Sequence, residues 1–91
     1  MRTRVHITVS GRVQGVFFRA YTQKKALALG ITGFVKNQAD GTVFIDAQAK
    51  EDVLKSFIDW CWEGSPLSSV SKVDVVPSDT SLDADGFTIT R

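Results

Sequence analysis

The order in which strand-like and helix-like periods follow one another constrains the fold of this chain more than any other feature. Residues 4–10 alternate strictly between polar and apolar side chains, which is typical of a half-buried strand. Within residues 18–29, a stripe of side chains recurs at helical steps and predicts a helix. Gly30 follows as its predicted C-terminal cap. The chain therefore begins with a strand and a helix.

Two further strands and a second helix are predicted next. Residues 31–37 and 42–47 are predicted strands, and the Ala39–Gly41 segment between them is a turn signal, so the pair is expected to form a hairpin. Residues 50–62 are predicted to form the second helix, which has one apolar face. Two acidic residues in its first turn lie where the helix dipole favours them.

Two short segments complete the pattern. Val73 and Val75 mark a fourth strand, and Phe87 and Ile89 mark a short fifth strand after a polar loop from Ser78 to Gly86. The order β-α-β-β-α-β, with this fifth strand, predicts an α+β fold. It is a ferredoxin-like split βαβ sandwich with two helices on one face of an antiparallel sheet. Because this fold carries many unrelated functions, the function must be argued from the site.

The composition is that of one ordinary small domain. A chain of 91 residues is large enough for a single core, so residues 1–91 are expected to form one domain. The net charge of +1 creates no overall field that would attract nucleic acid or a membrane, and we expect neither as a partner. No apolar run approaches the ~20 residues that span a bilayer, and no leader opens the chain, which predicts a cytoplasmic protein.

The counts of cysteine and histidine limit metal and redox chemistry. The chain has one cysteine, Cys61, and one histidine, His6. A single cysteine cannot form an internal disulfide, which is compatible with a reducing compartment, and the Cys and His ligands of a typical zinc site are missing. We expect His6 to be structural and Cys61 to be a buried thiol on the apolar helix face. The sequence therefore predicts no metal site and no cofactor.

The segment between the first strand and the first helix has the features of an anion site. It runs from Gly11 to Arg19, contains two glycines and ends in an arginine at the helix N-terminus. Backbone N–H groups in such a loop are unpaired, glycine lets them turn toward one point, and the helix dipole adds positive potential. The guanidinium is a planar, permanently charged fork suited to phosphate oxygens. The predicted phosphate-binding loop comprises Gln14, Gly15, Val16, Phe17, Phe18 and Arg19.

Asn37 is a second candidate for the site. It lies at the end of the second predicted strand, just before the hairpin turn. The first and third elements of a split βαβ sheet are expected to be neighbours, which would bring Asn37 near the loop. A neutral amide carries both donors and an acceptor, so it can hold a water molecule in one orientation.

Together these two stretches resemble the acylphosphatase family. That family is marked by a loop of the form G-x-V-Q-G-V-x-F-R and by G-[WFY]-V-x-N followed by D-G-[TS]-V. Here these motifs stand at Gly11–Arg19, Gly33–Asn37 and Asp40–Val43. The Gly64–Pro66 segment and the Phe87–Ile89 segment also fit, so the resemblance covers nearly the whole chain.

The resemblance implies a catalytic role for Arg19 and Asn37. Arg19 and the loop amides would bind the phosphoryl group, and Asn37 would position the attacking water. The expected activity is metal-independent hydrolysis of the carboxyl-phosphate bond of a small acyl phosphate. Inorganic phosphate or sulfate is expected to compete as an anion, and we expect the protein to be a monomer. The leaving carboxylate has a pKa near 4 to 5, so its departure requires no general acid.

Alternative functions share parts of this pattern. RNA recognition motifs have this fold, but their aromatic residues lie on sheet strands, whereas Phe17 and Phe18 precede the first helix. We expect these two residues to be core and loop anchors rather than substrate contacts. A regulatory domain that binds a small anion remains open, although the presence of both Arg19 and Asn37 argues against it. The third alternative is a domain of a larger maturation enzyme; a chain that ends at Arg91 favours a stand-alone enzyme.

Overall fold

The computed structural model describes residues 2–81 and 84–90, and it contains the predicted order of strands and helices. Leu82 and Asp83, in the predicted polar loop, lie outside the described residues. The elements are β1 (Arg2–Arg12), α1 (Phe18–Leu29), β2 (Thr32–Asn37), β3 (Val43–Lys50), α2 (Glu51–Glu63), β4 (Ser69–Ser78) and β5 (Phe87–Thr90).

The five strands form one mixed sheet in the order β4-β1-β3-β2-β5. β1 pairs antiparallel with β3 and β4, and β2 pairs antiparallel with β3, but β5 lies parallel to β2. The prediction of a purely antiparallel sheet is therefore wrong at β5. The physical reason is the direction of the chain. The C-terminal end of β4 and the N-terminal end of β2 lie at the same end of the sheet, so β5 starts beside the beginning of β2 and runs parallel to it.

A second expectation about the sheet is also corrected. β1 and β2 are not neighbours, because β3 lies between them. Since β3 is antiparallel to both, β1 and β2 run in the same direction. β5 is parallel to them, so the C-terminal ends of β1, β2 and β5 all lie at one end of the sheet. The segment after Arg12, the residue Asn37 and the residue Thr90 are at this end.

The hydrophobic core lies between the sheet and the two helices. Strand residues Ile7 and Ile45 are fully buried, and Phe57 of α2 belongs to the same buried cluster. The ring of Trp60 packs against those of Phe18 and Phe57, with centroids 5.7 and 6.2 Å away. Each of these side chains removes apolar surface from water, which is the main favourable contribution to folding.

Cys61 of α2 behaves as the sequence predicts. Cys61 is buried on the apolar face, and burial raises the pKa of its thiol to about 12, because a thiolate is poorly solvated there. Trp60 packs on the core and Trp62 is half exposed, because residues two positions apart in a helix do not share a face. In residues 2–81 and 84–90, no helix is long and apolar enough to cross a membrane.

His6 lies on the sheet face opposite the helices, where its side chain contacts Asp46 and Phe44. Its Nε2 lies 3.3 Å from the carboxylate of Asp46, and its ring packs against Phe44 with centroids 5.4 Å apart. The buried Asp46 accepts hydrogen bonds from Nε and Nη2 of Arg4 at 2.9 and 2.7 Å. A bidentate arginine is the partner that a buried carboxylate requires.

Candidate active site

The loop between β1 and α1 has an unusual backbone. Gly15 has a φ of 74° and Phe17 has a φ of 62°. Phe17 is the one residue other than glycine with a positive φ in the part of the chain that the structure describes. This left-handed conformation is disfavoured for a bulky side chain and is found most often at functional sites.

The N–H groups of this turn have no hydrogen-bond partner among the described residues. Across residues 15–20, no backbone N–H donates a hydrogen bond to any described residue. The first intrahelical bond of α1 runs from the N–H of Tyr21 to the carbonyl oxygen of Phe17, at 3.1 Å. No acidic residue lies in the first turn, and no side chain caps it. The positive end of the helix dipole therefore remains available to an anion.

A depression of about 300 Å³ lies at this end of the sheet. It brings Arg19 and Asn37 together, although they come from different elements and are not adjacent in sequence. The residues that line it are Val13, Gly15, Phe17, Phe18, Arg19, Ala20, Asn37 and Ile89. The prediction that Asn37 lies near the loop is confirmed. The reason is the shared direction of β1 and β2 rather than direct pairing between them.

The Arg19 side chain is oriented by the last strand. Its Nη1 donates a hydrogen bond to the carbonyl oxygen of Thr90 at 3.3 Å. A guanidinium has five N–H donors, so this bond leaves four for other acceptors. β5 thus fixes the direction of a cation in the wall of the depression.

The Asn37 side chain presents an unsatisfied acceptor. Its Oδ1 is buried, yet no described residue donates a hydrogen bond to it. Leaving a buried acceptor unpaired costs about 1–3 kcal/mol, so most such groups in folded proteins have a partner. A polar molecule that entered the depression and donated a hydrogen bond to this oxygen would recover that energy.

Two of the predicted loop residues have side chains outside the depression. Nε2 of Gln14 donates hydrogen bonds to the carbonyl oxygens of Gln38 and Thr42, at 2.7 and 2.8 Å. The Val16 side chain is buried, and its carbonyl oxygen accepts a hydrogen bond from Oγ of Ser65 at 2.9 Å. Gln14 thus ties the loop to the hairpin that carries Asn37, and Ser65 ties it to the segment after α2.

The hairpin turn beyond Asn37 has its own hydrogen-bond network. The N–H and Oγ1 of Thr42 donate to Oδ1 of Asp40 at 3.0 and 2.6 Å. These bonds stabilise the charged form and lower the pKa of Asp40. Nε2 of Gln38 in turn donates to Oγ1 of Thr42 at 2.9 Å. The turn is therefore held by side chains as well as by its backbone.

The two adjacent phenylalanines of the loop differ in their exposure to solvent. Phe18 is buried, as expected for a core anchor, but the Phe17 side chain is 71% exposed. The expectation that both are anchors is therefore wrong for Phe17, because the left-handed turn points its ring away from the core. Ile89 also lines the depression, and the sequence analysis missed it. Alternation along β5 could have placed it on the same face as Phe87, but not beside Arg19.

Comparison with known families decides the relationship. The family model for acylphosphatase matches residues 5–89, which include the loop, the Asn37 hairpin and most of β5. The chain belongs to the acylphosphatase family. Acylphosphatases are enzymes that hydrolyse acyl phosphates, so membership identifies the chain as a hydrolase of that kind.

Individual acylphosphatases agree with this assignment over at least 79% of their length. The chain is 43% identical over 88 residues to an acylphosphatase of Pelotomaculum thermopropionicum, covering 97% of this chain and 96% of that one. It is 51% identical over 72 residues to one of Shewanella amazonensis, covering 79% of each chain. The crystal structure of acylphosphatase from Bacillus subtilis superposes with a TM-score of 0.95 at 38% identity, covering all of both chains. This similarity confirms the fold of two helices on a five-stranded sheet.

Proposed function

We propose that the protein hydrolyses the carboxyl-phosphate bond of acyl phosphates without a metal ion. In this mechanism the loop amides and Arg19 bind the phosphoryl group, and Asn37 orients the attacking water. One observation carries the proposal: Asn37, whose buried Oδ1 has no partner among the described residues, lines the same depression as Arg19 and as loop residues whose N–H groups have none there either. This reaction needs two kinds of group: hydrogen-bond donors that bind the phosphoryl oxygens, and an acceptor that orients the attacking water.

Binding of the phosphoryl group rests on fixed donors. Within residues 2–81 and 84–90, the N–H groups of residues 15–20 have no acceptor and Arg19 has one, the carbonyl oxygen of Thr90; Arg19 lies in the first turn of the same helix. Donors that are already oriented stabilise the charge on the phosphoryl oxygens without reorganisation during the reaction. In the loose transition state of phosphoryl transfer, that charge is spread over the three non-bridging oxygens. The loop therefore supplies positioning and charge stabilisation, which are the main requirements of this chemistry.

Asn37 acts on the nucleophile. A water molecule that donates one hydrogen bond to Oδ1 is held with an oxygen lone pair free for attack. Its oxygen forms a bond to phosphorus while the bond between phosphorus and the acyl oxygen breaks. The electron pair of the broken bond leaves with the carboxylate. Both protons of the water remain on the product, so a dianionic acyl phosphate yields a carboxylate and dihydrogen phosphate.

The chemistry of the leaving group explains why so few groups suffice. A carboxylate is a stable anion, with a pKa of about 4 for its acid, so it departs without a proton or a metal ion. An alkoxide from a phosphate monoester leaves poorly without such help. We therefore expect selectivity for acyl phosphates over monoesters.

The test compares two substrates in the presence of a chelator. Purified protein is expected to hydrolyse benzoyl phosphate and to leave p-nitrophenyl phosphate nearly untouched, at rates that ethylenediaminetetraacetate does not change. Inorganic phosphate and sulfate are expected to inhibit competitively, because they occupy the same amides. An activity lost with chelator and restored by a divalent ion would contradict the metal-independent mechanism. Equal activity on both substrates would contradict the role given to the leaving group.

We also propose that the protein acts as a monomer in the cytoplasm. The described residues of a single chain line the depression, so the site as built needs no second copy. The single buried Cys61 is compatible with a reducing compartment. Light scattering coupled to gel filtration tests the first point, since a stable dimer at micromolar concentration would contradict it. Fractionation of the source cells tests the second.

A further inference from the structure

The apolar part of the depression has no role in binding a phosphoryl group. Phe17, Ile89 and Val13 contribute carbon surface to its lining, beside the polar groups of Arg19 and Asn37. Phosphate oxygens are satisfied by N–H donors and gain nothing from hydrocarbon. An acyl phosphate, however, consists of a phosphoryl group and a carbon group joined through one oxygen. The carbon group must then lie within a few bond lengths of the amides.

Ile89 is an apolar residue of the lining that is close in sequence to the acceptor of Arg19. The carbonyl oxygen that orients the Arg19 guanidinium belongs to Thr90, the next residue in β5. Ile89 and the guanidinium proposed to bind the phosphoryl oxygens therefore line the same depression, and Ile89 is 40% exposed. A large aliphatic side chain with this exposure, next to a charged group, is available to bind an apolar ligand.

Phe17 also lines the depression, and its conformation needs an explanation. It adopts a left-handed backbone with a φ of 62°, which glycine would adopt without strain. Its ring is 71% exposed, so the fold gains little by burying it. The strained backbone accounts for the direction of the N–H groups, but it does not account for an aromatic side chain. A ring exposed at the rim of a binding depression is suited to stacking and apolar contact with a ligand.

We propose that Phe17 and Ile89 form an acyl-binding rim, which makes the enzyme selective for acyl phosphates with an aromatic or branched apolar acyl group. The inference rests on the proposed function, because it assumes that the phosphoryl group binds at the amides and Arg19. The rim buries the acyl group between an aromatic ring and an aliphatic chain. Among the described residues that line the depression, Arg19 is the one with a charge, so a second charged group on the acyl part has no partner there.

The experiment measures kcat/KM for benzoyl phosphate and for acetyl phosphate in the wild type and in Ile89→Ala. The discrimination ratio is the value for benzoyl phosphate divided by the value for acetyl phosphate. Removing part of a hydrophobic pocket wall should lower this ratio about fivefold, because the ring loses more apolar contact than a methyl group does. Leu67→Ala is the matched control: Leu67 is 68% exposed but does not line the depression, and the variant should keep both values.

Phe17→Ala provides the second variant. Its ratio should also fall about fivefold, by the same loss of apolar contact. The ratio is the appropriate readout here, because any disturbance of the loop amides changes both substrates alike. Since the Phe17 ring is mostly exposed, this variant decides the matter even if Ile89→Ala does not fold, as judged by circular dichroism.

The outcomes separate this inference from the proposed function. Folded variants that lower both values equally, with an unchanged ratio, would overturn the acyl-binding rim and leave the hydrolytic function intact. A wild-type protein that hydrolyses neither acyl phosphate would overturn the function itself. A reduced ratio in either variant, with an unchanged ratio in Leu67→Ala, supports the rim.

Discussion

Nε2 of Gln14 lies 2.7 Å from the carbonyl oxygen of Gln38, the residue that follows Asn37. The same nitrogen also donates to the carbonyl oxygen of Thr42, so one side chain spans both strands of the hairpin end. Gln14 belongs to the loop that carries the unpaired amides, and the hairpin carries the candidate water-binding residue. This contact therefore sets the distance between the two halves of the proposed site.

Replacing Gln14 should separate binding from turnover. In Gln14→Ala the hairpin loses two hydrogen bonds to the loop, and Asn37 shifts relative to the bound phosphoryl group. A displacement of about 1 Å can lower a rate by up to about 100-fold, so we expect kcat to fall at least tenfold. The inhibition constant for inorganic phosphate should change much less, because the loop amides remain.

Gln23→Ala serves as the matched control for this prediction. Gln23 also donates its side-chain amide to a backbone carbonyl, that of Phe87, at 2.9 Å, but it does not line the depression. It should lose comparable stability without the fall in kcat. If phosphate binding collapses in Gln14→Ala while kcat holds, Gln14 binds the anion and does not position Asn37.

Arg19 is expected to contribute to both binding and turnover. Arg19→Ala should lower kcat/KM by about 10²–10³-fold, the usual effect of removing one preorganised donor to a developing charge. Inhibition by phosphate should also weaken, since the ground-state anion uses the same guanidinium. Arg19→Lys should remain poor, because an ammonium cannot reproduce the planar fork.

Arg2→Ala controls for the loss of charge in this prediction. Arg2 is exposed at the opposite end of β1, and its replacement changes the net charge by the same amount. Near-normal kinetics are expected for it. Should Arg19→Ala behave like this control, the assignment of Arg19 to the phosphoryl group would be untenable.

Asn37 should affect turnover without affecting anion binding. Asn37→Ala removes the acceptor proposed to hold water, so kcat and kcat/KM should fall together. Inhibition by phosphate should stay within about a factor of two, since the amides and Arg19 bind the ground state. The free energy of unfolding should not decrease, because the variant removes a buried acceptor that has no partner in the described structure.

Asn37→Asp gives the complementary result. A carboxylate at this position would repel the phosphoryl group, so phosphate inhibition should weaken in this variant and not in Asn37→Ala. If Asn37→Ala keeps a high kcat and loses inhibition by phosphate, then Asn37 binds the anion, and another residue must orient the attacking water.

Gly33 is required by the packing of the sheet. It has a φ of 143°, and a Cβ at this position would overlap the carbonyl oxygen of Asp46 on the neighbouring strand. Gly33→Ala should therefore lower the free energy of unfolding by more than about 3 kcal/mol, through both clash and strain. Equilibrium unfolding in urea measures the change.

Gly86 offers a control with the same backbone angle. It also has a φ of 143°, but apart from its chain neighbours no atom of the described residues lies within 4 Å of a Cβ built there. Gly86→Ala should carry the strain alone, about 1–2 kcal/mol. Equal losses in the two variants would mean that the approach of Asp46 contributes nothing.

Local signals in the sequence predicted most of the fold. α1 begins at Phe18 and ends before Gly30 as predicted, because the helical stripe and a left-handed cap are encoded within the segment itself. β4 is longer than its two predicted valines suggest, since an edge strand is mostly exposed and its polar residues carry no alternation. The direction of β5 could not be predicted, because it depends on how the chain crosses the sheet and not on four residues.

The site was predictable in its residues but not in its contacts. The glycine-containing loop and Asn37 could be singled out from residue types, and the depression joins them. The exposure of Phe17 could not be read from two adjacent aromatic residues, because either could face the core. The Gln14 contacts could not be predicted either. Gln38 and Thr42 lie 24 and 28 positions further along the chain, and the loop conformation that brings Gln14 to them has no local sequence signal.

The hydrogen bond between Arg19 and Thr90 makes the activity depend on the last strand of the chain. The carbonyl oxygen that orients the guanidinium lies 71 positions further along the chain. A chain in which β1 to β4 have formed still lacks the acceptor for Arg19 and the Ile89 wall of the depression. Catalytic competence therefore requires the docking of the final strand, and during refolding activity should not recover before β2 and β5 have paired.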